Sequence, residues 1–456
     1  MKRVIFGMVI VVFVLLVTNP LFGIAAKSEK IISINVLLNE GITDATLSNL
    51  SKYGNILDVF YEINAVTMQV PTTEFKVIQS LPYVKTANTD AIREGAPIDT
   101  VEANDFSNGN STWNLDAIDI TDFGSNNRQV TYDGTGVYVA VLDIGLLDSW
   151  RKYFLQERIS IEYAKSFGGG GNEVGGVSEQ PNKWEHDQNS HGTHVTSTII
   201  GYNMNGKPIN GVAPKATIIP VKVLNQNGNG WSSVVARGIV YVADLKDGPL
   251  ADKPVVISMS LGGPTLDALE KAAIDYAINK GVIVVASAGN EGEKGMGYPG
   301  AYEPVISVAA SGWIGEWQPN RNWWYNNDVP DPTDPIDFYI TDFSSRELPG
   351  QDLDVAAPGS WVVGPYQLQS GKTSYYFLGG TSMAAPHVSG IVALMAQKDS
   401  TLTASKAENI LETSSIDLAP GCRDVATPYG NTEYCWGENA TGHGLTNAVF
   451  ALDAIP

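Results

Sequence analysis

Four side chains suited to acyl transfer lie far apart along this chain, each among small residues. In GGTSMAAPHVSG (Gly379–Gly390), Ser382 stands between two glycines and a helix-like run of small residues. A hydroxyl there can act as a nucleophile, because the first N–H groups of a helix lack internal acceptors and can hold an oxyanion. Serine also caps helices without any chemistry. NSHGTHVTSTIIG places His191 at another helix start, where an imidazole can serve as general base. Asp143 follows the apolar run VYVAVL, and Asn290 follows VIVVASAG. A carboxylate that orients the imidazole and a carboxamide that donates to an oxygen anion would complete the set. Plainer roles exist: Asp143 as a turn cap, Asn290 as a turn residue beside Gly, His191 with His194 as a metal pair. Five histidines in all, no HExxH pattern and no carboxylate in register speak against that metal pair.

Apolar runs suited to buried parallel strands occupy 137–142, 216–224, 255–261 and 282–288. Helical patterns separate them. SSVVARGIVYVADL opens on serines that would cap it. LDALEKAAIDYAINK carries Leu266, Leu269, Ala273, Tyr276 and Ala277 on one face and stops at Gly281. This alternation predicts an α/β fold, a doubly wound parallel sheet with helices on both faces. In such a sheet chemistry gathers at the C-terminal ends of strands, where all four candidates are expected. Upstream, 31–38 and 64–70 read as strands, and the segments after Thr43 and Thr72 as capped helices. Together they predict a small α/β unit from Lys27 to about Asp90. REGAPIDTVEANDFSNGN reads as a linker, and Trp313–Asp342 as a surface insertion.

The 456-residue chain has a formal charge of −20, which argues against nucleic acid and anionic membrane surfaces as partners. Lys2 and Arg3 precede an apolar stretch ending at Val17, and Asn19-Pro20 then leads through small residues to Lys27. That is the pattern of a secretory signal over 1–26; an uncleaved membrane anchor is the alternative. In an exported chain the only two cysteines, Cys422 and Cys435, are expected to close a local disulfide.

VAVLDIG, NSHGTHVTSTI, SMSLGGP, ASAGNEG and GGTSMAAPHVSG resemble, in order, the motifs of the subtilisin family of serine proteases. The likeness continues through NGVAPKATIIPVKVL, YPGAYEPVISVAA, DVAAPG and GHGLTNA, and so covers most of the chain after Trp113. The resemblance implies a secreted, self-processing serine endopeptidase. Ser382 would attack, His191 would carry the proton and Asp143 would support the imidazole, while Asn290 and the Ser382 N–H would hold the oxyanion. It further implies a ferredoxin-like propeptide over 27–95 acting as intramolecular inhibitor, a linker over 96–112 and a catalytic domain over 113–456. His194 would pack rather than react. Ser260, Leu261, Gly262, Ala288 and Gly289 would wall the substrate pocket, Asn189 would border the cleft, and Gly297 would leave the pocket floor open. With no acidic residue expected there, a monomeric enzyme of broad specificity is predicted, favouring large apolar residues before the cut in polypeptide substrates. Structural calcium is the implied cofactor, with Asn205 as candidate ligand, although the chemistry needs none. Asp328, Asp331, Asp334, Asp337 and Asp342 read instead as a solvated loop, because their stride and prolines do not suit a calcium loop. Ile144 stands where the family has a hydroxyl, and Thr196-Ser197 where it has Ala-Gly. A histidine base predicts activity rising as His191 loses its proton, with an optimum at neutral to alkaline pH.

Overall fold

The computed structural model describes residues 29–102, 113–122, 127–168, 179, 181–317, 329–367 and 374–456. The leader expected over 1–26, most of the expected linker and Asp328 lie outside them.

Side-chain alternation decides the layers. Along Tyr138–Asp143, Val139 and Val141 enter one core while Ala140 and Leu142 enter another. Strands buried on both faces pair in parallel under helices. The order is Lys165–Ser166, Thr217–Lys222, Tyr138–Asp143, Val255–Met259, Val282–Ser287 and Ile306–Trp313, all parallel. Helices His191–Ile200 and Thr381–Lys398 cover the first face, and Ser232–Asp247 with Ala268–Asn279 the second. Each fully buried Val, Leu or Ile stabilises this stack by about 1.5–3 kcal/mol. The fold is the expected α/β sandwich of helices about a parallel sheet. Leu266 is an exception to the expected helix face, lying exposed just before its helix.

The insertion Trp313–Asp342 is not confined to the surface. Trp313 and Phe338–Ile340 are buried, and the latter pairs antiparallel with Ile306–Trp313. Aromatic residues at both ends of the segment give it an apolar face, which the sheet edge covers. Its acids keep local partners: Asp331 accepts from the Thr333 N–H and hydroxyl, and Asp334 caps the turn Pro335–Asp337.

Upstream lie β1 (Ile31–Leu38), α1 (Asp44–Leu50), β2 (Asn55–Phe60), β3 (Ala65–Pro71), α2 (Thr72–Gln79) and β4 (Val84–Thr89). The four strands are antiparallel in the order β2-β3-β1-β4, around Ile34, Val36, Leu50, Val66, Met68 and Ile78. Thr43 caps α1 through its hydroxyl, whereas α2 starts at Thr72 with no side-chain cap.

This unit sits on the helices Ser232–Asp247 and Ala268–Asn279. Ser232 and Ser233 do not cap their own helix. Asp90 of the upstream unit does so from outside, accepting from the Ser233 N–H at 3.0 Å and from both serine hydroxyls. Asn35 bridges Asp90 and Asp267. Arg237 grips Asp58 through two nitrogens, and Arg93 forms a wholly buried ion pair with Glu270.

The expected linker is in part structured. Ile92–Glu94 (β5) pairs with Asn229–Trp231, and Asp99–Glu102 (β6) with Tyr375–Gly379. Residues 92–102 form a strap stitched to sheet edges remote in sequence. Glu270→Ala would strand the Arg93 charge in the interior and should cost the full-length chain about 3–5 kcal/mol in chemical denaturation. A loss no larger than the ~1 kcal/mol of a surface pair would mean that Arg93 remains hydrated.

Candidate active site

Because the strands run in one direction, the ends of Tyr138–Asp143 and Val282–Ser287 open on one rim. His191 is the first residue of its helix and Ser382 the second of its own. The His191 Nδ1 lies 2.9 and 3.0 Å from the two carboxylate oxygens of Asp143, and neither residue is exposed. A buried charge needs such partners. The Ile144 N–H adds a third bond at 2.7 Å to Oδ1, so a backbone donor supports the carboxylate where a family hydroxyl is missing. Gly192 is required here, since a Cβ would strike the Gly145 carbonyl and press on Asp143.

The imidazole is joined to the carboxylate but not to the serine. His191 Nε2 is buried without a hydrogen-bond partner among the described residues. Ser382 Oγ donates instead to the Ser260 carbonyl at 3.3 Å, while Ser260 Oγ donates to the Ser382 carbonyl at 2.7 Å. Side chains exchange between staggered wells, and an orphaned buried acceptor costs about 1–3 kcal/mol. That cost favours any serine rotamer that satisfies Nε2.

Asn290 accepts from the Thr381 N–H and hydroxyl, both at 2.9 Å. These bonds commit its oxygen and leave the amide nitrogen as the donor end. The Thr381 hydroxyl also accepts from the Gly289 N–H at 3.2 Å. Sequence reasoning missed this positioning role, because a Thr before Ser at a helix start looks like a cap. It also missed Lys222, whose Nζ donates to the Ile144 carbonyl at 2.6 Å. Burial lowers that ammonium to about 8, against the opposing charges of Asp187 and Asp143. Burial raises Asp187 to about 6, although it accepts from the Asn189 and Ser190 N–H groups. The only signal for Lys222 was a lysine inside an apolar strand. His194 bonds the Val362 carbonyl through Nε2, and burial lowers it to about 3, so it packs as a neutral ring. Ser197 is absorbed locally, its hydroxyl donating to the His194 carbonyl.

Beside Ser382 opens a cavity of about 400 Å³ lined by Leu261, Gly262, Gly289 and Gly297. Ser260 and Ala288 stand behind that lining, the Ala288 carbonyl holding the Gly297 N–H at 2.8 Å. Asn189 is not part of that lining and lies instead near Gly228. A Cβ on Gly297 would make only ordinary contacts, none closer than 3.5 Å, so this part of the lining has room for one. One expectation fails: the pocket is not free of acid. Glu291 borders it, its carboxylate held by the Ser345 hydroxyl at 3.0 Å.

The chain's own strap fills the cleft. Glu94 and Gly262 exchange two backbone bonds of 2.9 Å, the Gly95 N–H donates to Gly228 at 2.9 Å, and the Ile98 N–H to Gly379 at 2.7 Å. At Gly95 a Cβ would lie 2.9 Å from the Ser260 carbonyl oxygen and 3.5 Å from His191 Cε1. Ala96 and Pro97 share the cavity with Asn290 and Ser382. The Ala96–Pro97 bond follows Gly95 along the strap, in the cavity that Ser382 lines.

Asn205, the expected calcium ligand, sits in an exposed hairpin turn. It and Gly206 have φ of +51° and +91° in the exposed turn between Tyr202–Met204 and Lys207–Ile209, which is what an Asn-Gly hairpin turn requires. Carboxylates of the described residues converge elsewhere, at Asp352, Asp354 and Glu408, with oxygens within 4.8 Å of one another. Burial pushes Asp354 up to about 8 and Glu408 to about 7, and Asp354 Oδ1 is buried without a partner. Hard oxygen donors of this kind fit calcium. Cys422 and Cys435, directly opposite in the hairpin Gly421–Thr427/Gly430–Trp436, form the expected disulfide.

Residues 134–444 match a family described as the subtilase family. Subtilisin DY of Bacillus licheniformis is 33% identical over 291 residues, 63% of this chain and 86% of that protein. Thermitase of Thermoactinomyces vulgaris is 38% identical over 210 residues, 46% of this chain and 62% of that protein. Among solved structures, fervidolysin from Fervidobacterium pennivorans, described as a keratinolytic enzyme related to subtilisin, covers 93% of this chain and 61% of its own. Its TM-score is 0.66 at 24% identity, a likeness of fold. Sphericase covers 74% of this chain and 97% of its own, with a TM-score of 0.54 at 29% identity.

Asn290→Ala should lower kcat by about 10²–10³ with little change in KM, a magnitude taken over from subtilisin, where it was measured. Steady-state kinetics with an unchanged circular-dichroism spectrum would verify it; a loss below tenfold would deny Asn290 the oxyanion role.

Proposed function

The chain belongs to the subtilase family of serine endopeptidases, and from that premise we propose that it is a secreted, self-processing endopeptidase acting through Asp143, His191, Ser382 and Asn290. The observation supporting this most is the buried Asp143–His191 pair, whose Nε2 has no partner among the described residues of the rim that carries Ser382. Turning about its Cα–Cβ bond, Ser382 Oγ would exchange the Ser260 carbonyl for Nε2. As Oγ attacks the carbonyl carbon its proton passes to Nε2, and the oxyanion settles against the Ser382 N–H and the Asn290 amide. The C–N bond breaks as His191 returns the proton to the leaving nitrogen, and water repeats the sequence to free the acid. Asp143 supports the imidazolium throughout.

The apolar lining and the room at Gly297 suit large apolar residues before the cut, with Glu291 at the rim able to meet a basic tip. Among the described residues no helix is long and apolar enough to cross a membrane. The leader over 1–26 and the disulfide fit export. The enzyme acts on polypeptides as a monomer. Calcium at Asp352, Asp354 and Glu408 would neutralise a crowded acidic group; a chelator should lower the melting temperature, and an unchanged value would remove calcium.

Residues 27–95 act as the inhibitory propeptide, with the strap as its tail. In the Ala96–Pro97 bond the leaving nitrogen carries a ring carbon in place of hydrogen, which blocks the imidazole. The residue before a proline is also held extended. This register is thus a holding position, and the maturing cut falls at another bond between Ala87 and Asn104. Ser382→Ala should be secreted with residues 27–95 still attached; their loss from that variant would assign maturation to another protease. Pro97→Ala should hasten the first cut and move it to the 96–97 bond. An unchanged cut and rate on N-terminal sequencing would contradict the register.

A further inference from the structure

We propose that the leaving-group side of the cleft holds a subsite for a basic side chain, Arg or Lys, on the third residue after the cut. The proposal rests on the endopeptidase reading and goes beyond it, since nothing in the catalytic rim calls for such a site.

Past Ser382 the cleft continues into a second cavity of about 450 Å³, which shares Ile98, Asn290 and Glu291 with the first. Two kinds of wall meet there. Trp361, Tyr429 and Tyr434 supply aromatic faces, while Asp342 and Glu291 supply carboxylates. Among the described residues that line it there is no Lys, Arg or His. Arg346, whose charge reaches Asp342, directs its Nη1 to the carbonyls of Thr341 and Ser344. Carboxylates beside aromatic rings, with no cation among the described residues of the lining, make a receptor for one: the rings attract it by cation–π contact and the acids by charge-assisted hydrogen bonds.

The walls are held in place. Tyr429 is 76% exposed at the tip of the hairpin Gly421–Trp436, with its ring centroid 6.1 Å from that of Trp361. Tyr434 stacks on the buried Tyr339 at 4.6 Å, and the Cys422–Cys435 disulfide ties the hairpin's strands. An exposed ring on a braced arm over a cleft is placed to touch something that enters it.

The strap sets the register and provides a contrast. Counting from the Ala96–Pro97 bond, Asp99 is the third residue on the leaving side. It pairs with Gly379 and lines this same cavity. There its carboxylate meets Asp342; burial first, and that like charge second, push it up from its ordinary value. The inhibitor segment thus offers the wrong sign of charge, which suits a tail that must depart. A substrate with Arg or Lys at the same position would reverse the sign.

The test uses the mature enzyme and internally quenched peptides differing only at the third residue after the cut: Arg, Lys, Ala or Asp. Mass spectrometry fixes the bond cleaved. Each exposed pair gives up to about a fivefold gain, so kcat/KM for Arg should exceed that for Asp by roughly tenfold at low salt. The ratio should shrink as salt screens it. Asp342→Asn should reduce the Arg-to-Asp ratio about threefold, and Tyr429→Ala should reduce Arg-to-Ala. Equal rates for Arg and Asp, or a ratio untouched by Asp342→Asn, would overturn the subsite while leaving the endopeptidase intact. Failure to cleave any peptide would overturn both.

Discussion

A carboxylate with no exposed surface, held against an imidazole at the end of a buried strand, is the constraint on which the rest of this structure turns. Burying Asp143 without compensation would cost several kcal/mol. The compensation comes from three places in the sequence: His191 Nδ1, the Ile144 N–H and the nearby charge of Lys222. Each is available only because parallel strands end together and the helix of His191 starts where the strand of Asp143 stops. Gly192 then lets helix and strand approach. The chemistry and the packing of the rim are thus one arrangement.

The upstream unit exploits that rim from the other side. Asp90 caps a helix of the catalytic body, Arg93 buries its charge against Glu270, and the strap threads between two strand edges as a peptide would. Docking draws on strong, buried interactions, whereas the segment across Ser382 carries features ill suited to staying as a product: a prolyl nitrogen at the scissile position and an acid in an acidic pocket. Tight docking combined with a poor fit beside the nucleophile would give the proposed propeptide a physical basis for being held and later released.

Much of this was legible in the sequence. Tyr138–Asp143 and Val282–Ser287 declared themselves because strands buried on both faces are continuously apolar. Asp143, His191, Asn290 and Ser382 stood out because reactive side chains followed strands or opened helices in small-residue surroundings. What escaped depended on partners remote in the chain. Ser232 and Ser233 have capping side chains, yet they receive a cap from Asp90. Phe338–Ile340 and the strap became strands only by pairing with distant edges. Thr381, Lys222 and Glu291 gain meaning from separations of a few ångströms across the fold, which local pattern does not encode. Asn205 is the opposite case: its Asn-Gly turn is a local feature that adjacent residues spell out.

The most direct measurement is covalent labelling of the mature protein with a fluorophosphonate, read by intact mass and peptide mapping. A histidine-activated serine predicts one adduct per chain, on Ser382, forming more slowly as acid protonates the imidazole and failing to form in His191→Ala. Absence of an adduct, or labelling of Ser382 at the same rate in His191→Ala, would contradict the coupling of hydroxyl, imidazole and buried carboxylate.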